Sequence, residues 1–157
     1  MIAPALEREF AYRACEEITR REAANFHYGI RLLPRDKRRA MSAVYAFARR
    51  IDDIGDEQGE PACKLKALGV QRAKLAAIQG DGAGCLADDP VIVAIADAHE
   101  RFDLPLDALE ALIAGVELDV HGTSYETFDE LVVYCRHVAG SIGRLSVAIF
   151  TGGAGVL

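Results

Sequence analysis

The chain has 157 residues, 51% of them hydrophobic and 27% charged, which is the balance of one globular domain with its own core. A net charge of −6 argues against nucleic acid as the main partner, because neutralising phosphates needs a basic surface. No apolar run approaches the roughly 20 residues that span a bilayer, and residues 1–10 lack the pattern of a secretory signal, so we expect a cytoplasmic protein.

Apolar residues recur at helical spacing along nearly the whole chain, and no strand pattern competes, so we predict an all-α bundle of about six helices. A break is predicted at residues 25–29, and a glycine-rich, acidic surface loop at residues 80–89. The predicted helices run over residues 5–24, 35–56 and 61–79, then from near 89, from near 105 to before 122, and from 127 to about 151.

The second predicted helix ends in four carboxylates within six residues: Asp52, Asp53, Asp56 and Glu57. The helix macrodipole leaves partial negative charge at that end, so acids there are disfavoured unless something positive compensates. A divalent cation suits this role, because Mg²⁺ takes carboxylate oxygens and shares its remaining positions with substrate phosphates. The acid cluster therefore predicts a magnesium site.

Tyr45, Arg49, Asp52 and Asp56 fall at i, i+4, i+7 and i+11, so they form a stripe opposite the apolar face of this helix. The alternative is a solvated acidic helix end without a function. The magnesium site is favoured over this alternative, because an aromatic hydroxyl and a guanidinium lie in line with the carboxylates.

The last predicted helix starts at a capping box formed by Thr127 and Glu130. Gly140 and Gly143 lie in its interior, where each costs about 1 kcal/mol relative to alanine, which indicates close approach of another helix or of a ligand. Tyr134 shares a face with Val138 and Ile142, an arrangement that suits a long apolar ligand. By spacing alone, plain helix packing through small residues is favoured.

Two regions together carry a resemblance to a known family: NFHYGIRLLP at 25–34 leading to RRIDDIGD at 49–56, and GVELD at 115–119 leading to YCRHVAGSIG at 134–143. The chain resembles the squalene/phytoene synthases, and among them the bacterial presqualene diphosphate/squalene synthases of hopanoid pathways. The resemblance implies an all-α isoprenoid-synthase fold. It also implies a transferase that joins two farnesyl diphosphates from C1 to C1′ through a cyclopropyl intermediate. Phytoene or dehydrosqualene synthesis is the alternative.

The resemblance also implies roles for individual residues. Tyr45 and Tyr134 would lie beside the reacting carbons, and Arg49 would bind the diphosphate. Phe26 would be the pocket aromatic, although Ala23, Ala24 and Asn25 stand where relatives often carry phosphate-binding hydroxyls. The residues implied to hold Mg²⁺ are Asp52, Asp53 and Asp56, and those implied to line the prenyl tunnel are Val138, Ala139, Ile142 and Gly143. NADPH would be a further cofactor if the reaction proceeds to squalene.

Members of this family run to nearly twice this length and carry a second aspartate-rich motif on a later helix, whereas residues 144–157 contain no Asp or Glu. We therefore expect residues 1–157 to be the N-terminal half of such a domain, completed by a C-terminal half or by self-association. Because the product would be apolar, we also expect peripheral contact of the protein with the inner membrane face. Two alternatives of another class are a catalytically silent remnant that binds a partner, and a helical scaffold without ligand chemistry.

Overall fold

The computed structural model describes residues 5–80 and 88–152, and helices form nearly all of that part of the chain. The predicted all-α class is confirmed. Of the predicted loop, residues 81–87 lie outside the described residues. The elements are α1 (Ala5–Glu22), α2 (Ala24–Arg31), α3 (Arg35–Asp56), α4 (Pro61–Gln79), α5 (Pro90–Phe102), α6 (Leu106–Val120), α7 (Phe128–Cys135), a π-helical turn (Arg136–Gly140) and α8 (Ser141–Thr151).

The predicted break at residues 25–29 is wrong, because these residues belong to α2. The chain departs from helical geometry only at Ala23, where φ is −113° and ψ is 52°. The His27 amide still donates to the Ala23 carbonyl at 2.7 Å, so helical hydrogen bonding resumes at once. A single interior glycine such as Gly29 costs only about 1 kcal/mol, which is too little to end a helix.

The predicted helix over 127–151 starts at its capping box as expected, with Thr127 and Glu130 exchanging hydrogen bonds. The π-helical turn then interrupts it. A π turn adds a residue to one helical turn, so the residues after it are rotated relative to an uninterrupted helix. The structure therefore contains two helices, α7 and α8, where one was predicted.

Helix α3 lies at the centre of the fold and contacts α1, α5, α6 and α8. Its predicted apolar face is buried, with Phe47 and Ile51 at 0% exposure. Burying a side chain of this size contributes about 2 kcal/mol. Within residues 5–80 and 88–152, no helix combines the length and the apolarity of a bilayer-crossing segment.

Two glycines let α6 approach its neighbours closely. A Cβ atom on Gly55 of α3 would lie 2.7 Å from Val116 Cγ1, and one on Gly115 would lie 2.6 Å from Val138 Cγ1. Helix α6 is therefore held tightly between the end of α3 and the π turn. This packing brings the C-terminal ends of α3 and α6 close to α7.

We predicted close approach of another helix or of a ligand at Gly140 and Gly143; among the described residues no other helix approaches them, so the ligand alternative stays a prediction. No atom there lies within 4 Å of a Cβ built on Gly143, and a Cβ on Gly140 meets only Arg136 and Cys135 of its own turn. Both glycines lie on the outer side of their helix and are exposed.

Candidate active site

The acid cluster lies at the end of α3, as predicted, and its three aspartates are exposed. The Lys64 ammonium of α4 donates to the Gly55 carbonyl at 2.7 Å, which compensates the negative end of the helix dipole. Asp53 forms an ion pair with Arg49 over 2.9 Å between Oδ1 and Nη2. Asp52 and Asp56, the other two aspartates of the cluster, form no ion pair with the described residues.

The electrostatics of Asp52 single it out. Partial burial and then the charge of Asp56 raise the pKa of its carboxyl, and Arg49 offsets these effects only in part. The negative charge of Asp119, at the end of α6, raises the same pKa further. Besides partial burial, acids of both α3 and α6 therefore disfavour the charged form of Asp52.

Asp119 connects these acids to α7, because it accepts a hydrogen bond from the Tyr134 hydroxyl at 2.8 Å. This hydrogen bond and partial burial raise the pKa of Tyr134 to about 12, so the phenol stays protonated. The Tyr125 ring lies beside it, with the two ring centroids 5.2 Å apart. The two tyrosines and Asp119 form one cluster at the open ends of α6 and α7.

Sequence reasoning did not assign a role to Asp119 or Tyr125. Asp119 could have been noticed, because it is a second acid near a helix C-terminus, where the macrodipole disfavours it. Tyr125 lies in the connection between α6 and α7, and no periodicity marks it.

Arg49 carries an unsatisfied donor. Its Nε atom is buried and has no hydrogen-bond acceptor among the described residues. Arg49 and Asp53 also line a cleft of about 540 Å³ between the ends of α1 and α3. A phosphate oxygen is the kind of acceptor that would satisfy a guanidinium N–H.

The remaining predicted residues lie at different depths. Tyr45 is half-buried, and burial raises the pKa of its hydroxyl. Phe26 lies on α2 and is 72% exposed. Val138 and Ile142 are half-buried, whereas Ala139 and Gly143 are exposed, so these four residues do not line one enclosed channel in the described part of the chain.

The acids suit magnesium by their chemistry, although no three His, Cys, Asp or Glu side chains of residues 5–80 and 88–152 converge into a closed metal site. Mg²⁺ keeps several waters and is commonly bound by one or two carboxylates together with substrate phosphates. Asp52 and Asp56, with excess negative charge around them, fit that pattern. Asp53 fits it less well because its carboxylate already pairs with Arg49.

We expect Asp119→Asn to lower the pKa of Tyr134 from about 12 toward the ordinary value near 10. The substitution keeps the shape of the side chain and removes the charge that disfavours the phenolate. A tyrosinate absorbance titration measures the shift, and Tyr134→Phe identifies the step that belongs to this residue. Asp107→Asn, an exposed acid on the same helix, should leave that step unchanged. An unaltered titration in Asp119→Asn would contradict the hydrogen bond.

The helical arrangement is that of the isoprenoid-synthase class of fold. Two solved structures share it. The squalene synthase HpnC from Alicyclobacillus acidocaldarius superposes with a TM-score of 0.81 and 29% identity, over 95% of this chain and 54% of that one. A dehydrosqualene synthase solved in complex with a ligand gives a TM-score of 0.79 and 26% identity, over 92% of this chain and 48% of that one.

Residues 19–155 match the model of the squalene/phytoene synthase family, and the chain belongs to this family. The phytoene synthase of Mycobacterium tuberculosis is 49% identical over 144 residues, which are 92% of this chain and 46% of that protein. The 15-cis-phytoene synthase of Synechocystis is 35% identical over 93% of this chain and 42% of its own length. The chain thus spans about half the length of the curated relatives it matches.

Proposed function

We propose that this chain supplies the first magnesium-binding half of a prenyltransferase that joins two prenyl diphosphates head to head. The observation that carries the proposal is the carboxylate cluster at the end of α3, in which Asp53 pairs with Arg49 while Asp52 and Asp56 form no ion pair with the described residues. The family assignment supports the same class of reaction.

Each side chain has a role that follows from its chemistry. Asp52 and Asp56 would hold Mg²⁺, which as a Lewis acid stabilises the negative charge of a departing diphosphate. The unpartnered Nε of Arg49 would donate to a phosphate oxygen. The rings of Tyr134 and Tyr45 would stabilise an allylic cation by cation–π attraction. Asp119 would hold the Tyr134 hydroxyl, and so fix the orientation of that ring.

The chain length of the substrate has two candidates. The 49% identity to a phytoene synthase favours two C20 diphosphates. The resemblance to presqualene diphosphate synthases and the similarity to HpnC favour two farnesyl diphosphates, with NADPH required if the product is squalene. Supplying C15 and C20 diphosphates to the protein assembled with a C-terminal half, and identifying the hydrocarbon formed, distinguishes the two. Because the products are apolar, we place the reaction in the cytoplasm at the inner membrane face.

Binding of inorganic diphosphate tests the proposal without requiring turnover. We expect calorimetry to show Mg²⁺-dependent diphosphate binding by the chain. Asp52→Asn and Asp56→Asn should each weaken this binding about tenfold, because each removes one carboxylate ligand. A tenfold loss of affinity corresponds to about 1.4 kcal/mol of binding free energy. Asp36→Asn is the matched control, because Asp36 is an exposed acid at the opposite end of α3. Its affinity should equal that of the wild type.

Binding that is independent of Mg²⁺, or equal in all three variants, would overturn the assignment of these acids. Absence of binding in every protein would favour a helical scaffold without ligand chemistry. For the chain alone we expect no turnover of prenyl diphosphates, because it covers 46% of the phytoene synthase it matches. Turnover should appear once a C-terminal half is present, which separates this proposal from a silent remnant.

A further inference from the structure

The backbone is fixed on both sides of Tyr125, although this residue lies in the connection between α6 and α7. Before it, Gly122 ends α6 at φ 68°, with its amide bonded to a carbonyl of the last turn. After it, the amides of Glu126 and Thr127 both donate to the Glu130 carboxylate, at 2.8 and 3.1 Å. The connection therefore presents the Tyr125 side chain from a defined position.

The Tyr125 ring packs against the ring of Tyr134. Their centroids are 5.2 Å apart and their planes are inclined by 37°. Favourable aromatic pairs have centroids roughly 4.5–7 Å apart, so this pair is in stabilising contact. The Tyr134 hydroxyl, in turn, donates to Asp119 at 2.8 Å. Tyr134 is thus held at its hydroxyl by α6 and at its ring by the connection that follows α6.

The hydroxyl of Tyr125 does not account for the position of this side chain. Its oxygen is buried and has no hydrogen-bond partner among the described residues. A buried hydroxyl without a partner lowers the free energy of unfolding, so it is not what holds the side chain in place. The stabilising contact between Tyr125 and the candidate site is the one that its ring makes.

We infer that Tyr125 is a positioning residue, whose ring holds the ring of Tyr134 in the orientation in which the Tyr134 hydroxyl reaches Asp119. A fixed orientation matters because cation–π attraction acts through the face of a ring. The catalytic consequence rests on the proposed function, in which the Tyr134 ring stabilises an allylic cation. The positioning itself involves neither metal nor substrate, so this chain alone is sufficient to test it.

The test measures the pKa of Tyr134 by NMR, with the tyrosines isotope-labelled at Cζ and Tyr134→Phe identifying the signal. In the wild type this pKa is about 12, because the hydrogen bond to Asp119 and partial burial both raise it. Tyr125→Ala should lower it toward the ordinary value near 10, since water then competes for the Asp119 carboxylate. Tyr125→Phe keeps the ring and should keep the pKa of Tyr134 near 12.

Tyr28→Ala is the matched control, because Tyr28 is a tyrosine on α2 that is 70% exposed. It should leave the pKa of Tyr134 unchanged. Tyr125→Leu, which keeps an apolar side chain without an aromatic face, covers the case in which Tyr125→Ala does not fold, and it should also lower this pKa. In the protein assembled with a C-terminal half, Tyr125→Ala should lower kcat about tenfold at an unchanged KM, and Tyr125→Phe should retain kcat.

A Tyr134 pKa that stays near 12 in Tyr125→Ala would overturn the inference, because Asp119 alone would then hold Tyr134. An equal fall in Tyr125→Phe or in Tyr28→Ala would overturn it too, since the effect would not belong to the Tyr125 ring. So would weaker Mg²⁺-dependent diphosphate binding by Tyr125→Phe, because the hydroxyl would then be a ligand of the diphosphate. If the pKa falls in Tyr125→Ala while kcat is unchanged, the positioning is supported and the proposed catalytic role of Tyr134 is wrong.

Discussion

Asp89→Ala is expected to lower the free energy of unfolding by about 3 kcal/mol, because it removes a helix cap and the partner of two cations. Asp89 caps α5, with Oδ1 accepting from the Val91 amide at 3.2 Å. Both terminal nitrogens of Arg50 bond its carboxylate, at 2.7 and 3.0 Å, and Lys74 donates at 2.7 Å. One side chain thus ties α3, α4 and α5 together, and urea denaturation of the variant measures the loss.

Asp89→Asn separates the two contributions, because asparagine is also a good helix cap but carries no charge. It should retain about 1 kcal/mol that alanine loses. Asp107→Asn is the control, since Asp107 pairs with Arg144 at an exposed site and should change stability by less than about 0.5 kcal/mol. If Asp89→Ala also changed the free energy of unfolding by less than about 0.5 kcal/mol, the contacts of Asp89 with three helices would not stabilise the fold.

The same carboxylate predicts an acid dependence. Burial raises the pKa of Asp89, but the hydrogen bonds from Arg50 and Lys74 outweigh burial and lower it to about 2. A depressed pKa contributes stability that is present above the unfolded value near 4 and is lost as the pH falls toward 2, here about 2 kcal/mol. The stability difference between the wild type and Asp89→Asn should therefore shrink over that interval. A constant difference would contradict the ion pair.

Gly115→Leu is expected to destabilise the protein by about 3 kcal/mol and to disturb the candidate site. Even a single Cβ atom at position 115 would lie 2.6 Å from Val138 Cγ1 and 3.2 Å from His137 Cβ, and leucine is larger still. Val138 is β-branched and stiff at χ1, so the π turn has to move away from α6. Because Tyr134 precedes that turn and bonds Asp119 of α6, we also expect the raised pKa of Tyr134 to fall.

Gly69→Leu provides the comparison, since Gly69 lies inside α4 with no neighbouring atom of the described residues within 4 Å of its Cβ position. There the higher helix propensity of leucine should stabilise by up to about 1 kcal/mol. Thermal unfolding of both variants, with the tyrosinate titration, checks the prediction. Equal stability of the two variants would mean that the close contact of α6 with the π turn is not required.

Local patterns predicted much of this protein. The 3.6-residue period identified α3 and its buried face, Pro61 and Pro90 marked helix starts, and the Thr127–Glu130 capping box placed the start of α7. The family was recognised from two motifs, and the match over residues 19–155 confirms it. These signals are available in the sequence because they depend on neighbours within a few positions.

The π turn and the start of α2 were not predictable in this way. Both depend on small backbone adjustments that cost little locally and are decided by packing with other helices. Close helix contacts occur at Gly55 and Gly115, which no local pattern marked, because the side chains that meet those positions, Val116 and Val138, come from other elements of the fold.

The sequence by itself determined most of the helices, the family and the acid row at the end of α3. Only the tertiary structure decided that Asp53 pairs with Arg49, that the charge of Asp119 acts on Asp52 while its carboxylate holds Tyr134, and that Val147 and Phe150 of α8 stay exposed. The physical reason is range: helix formation follows from residues one turn apart, whereas the partner of a carboxylate or of an apolar face is set by how distant helices pack.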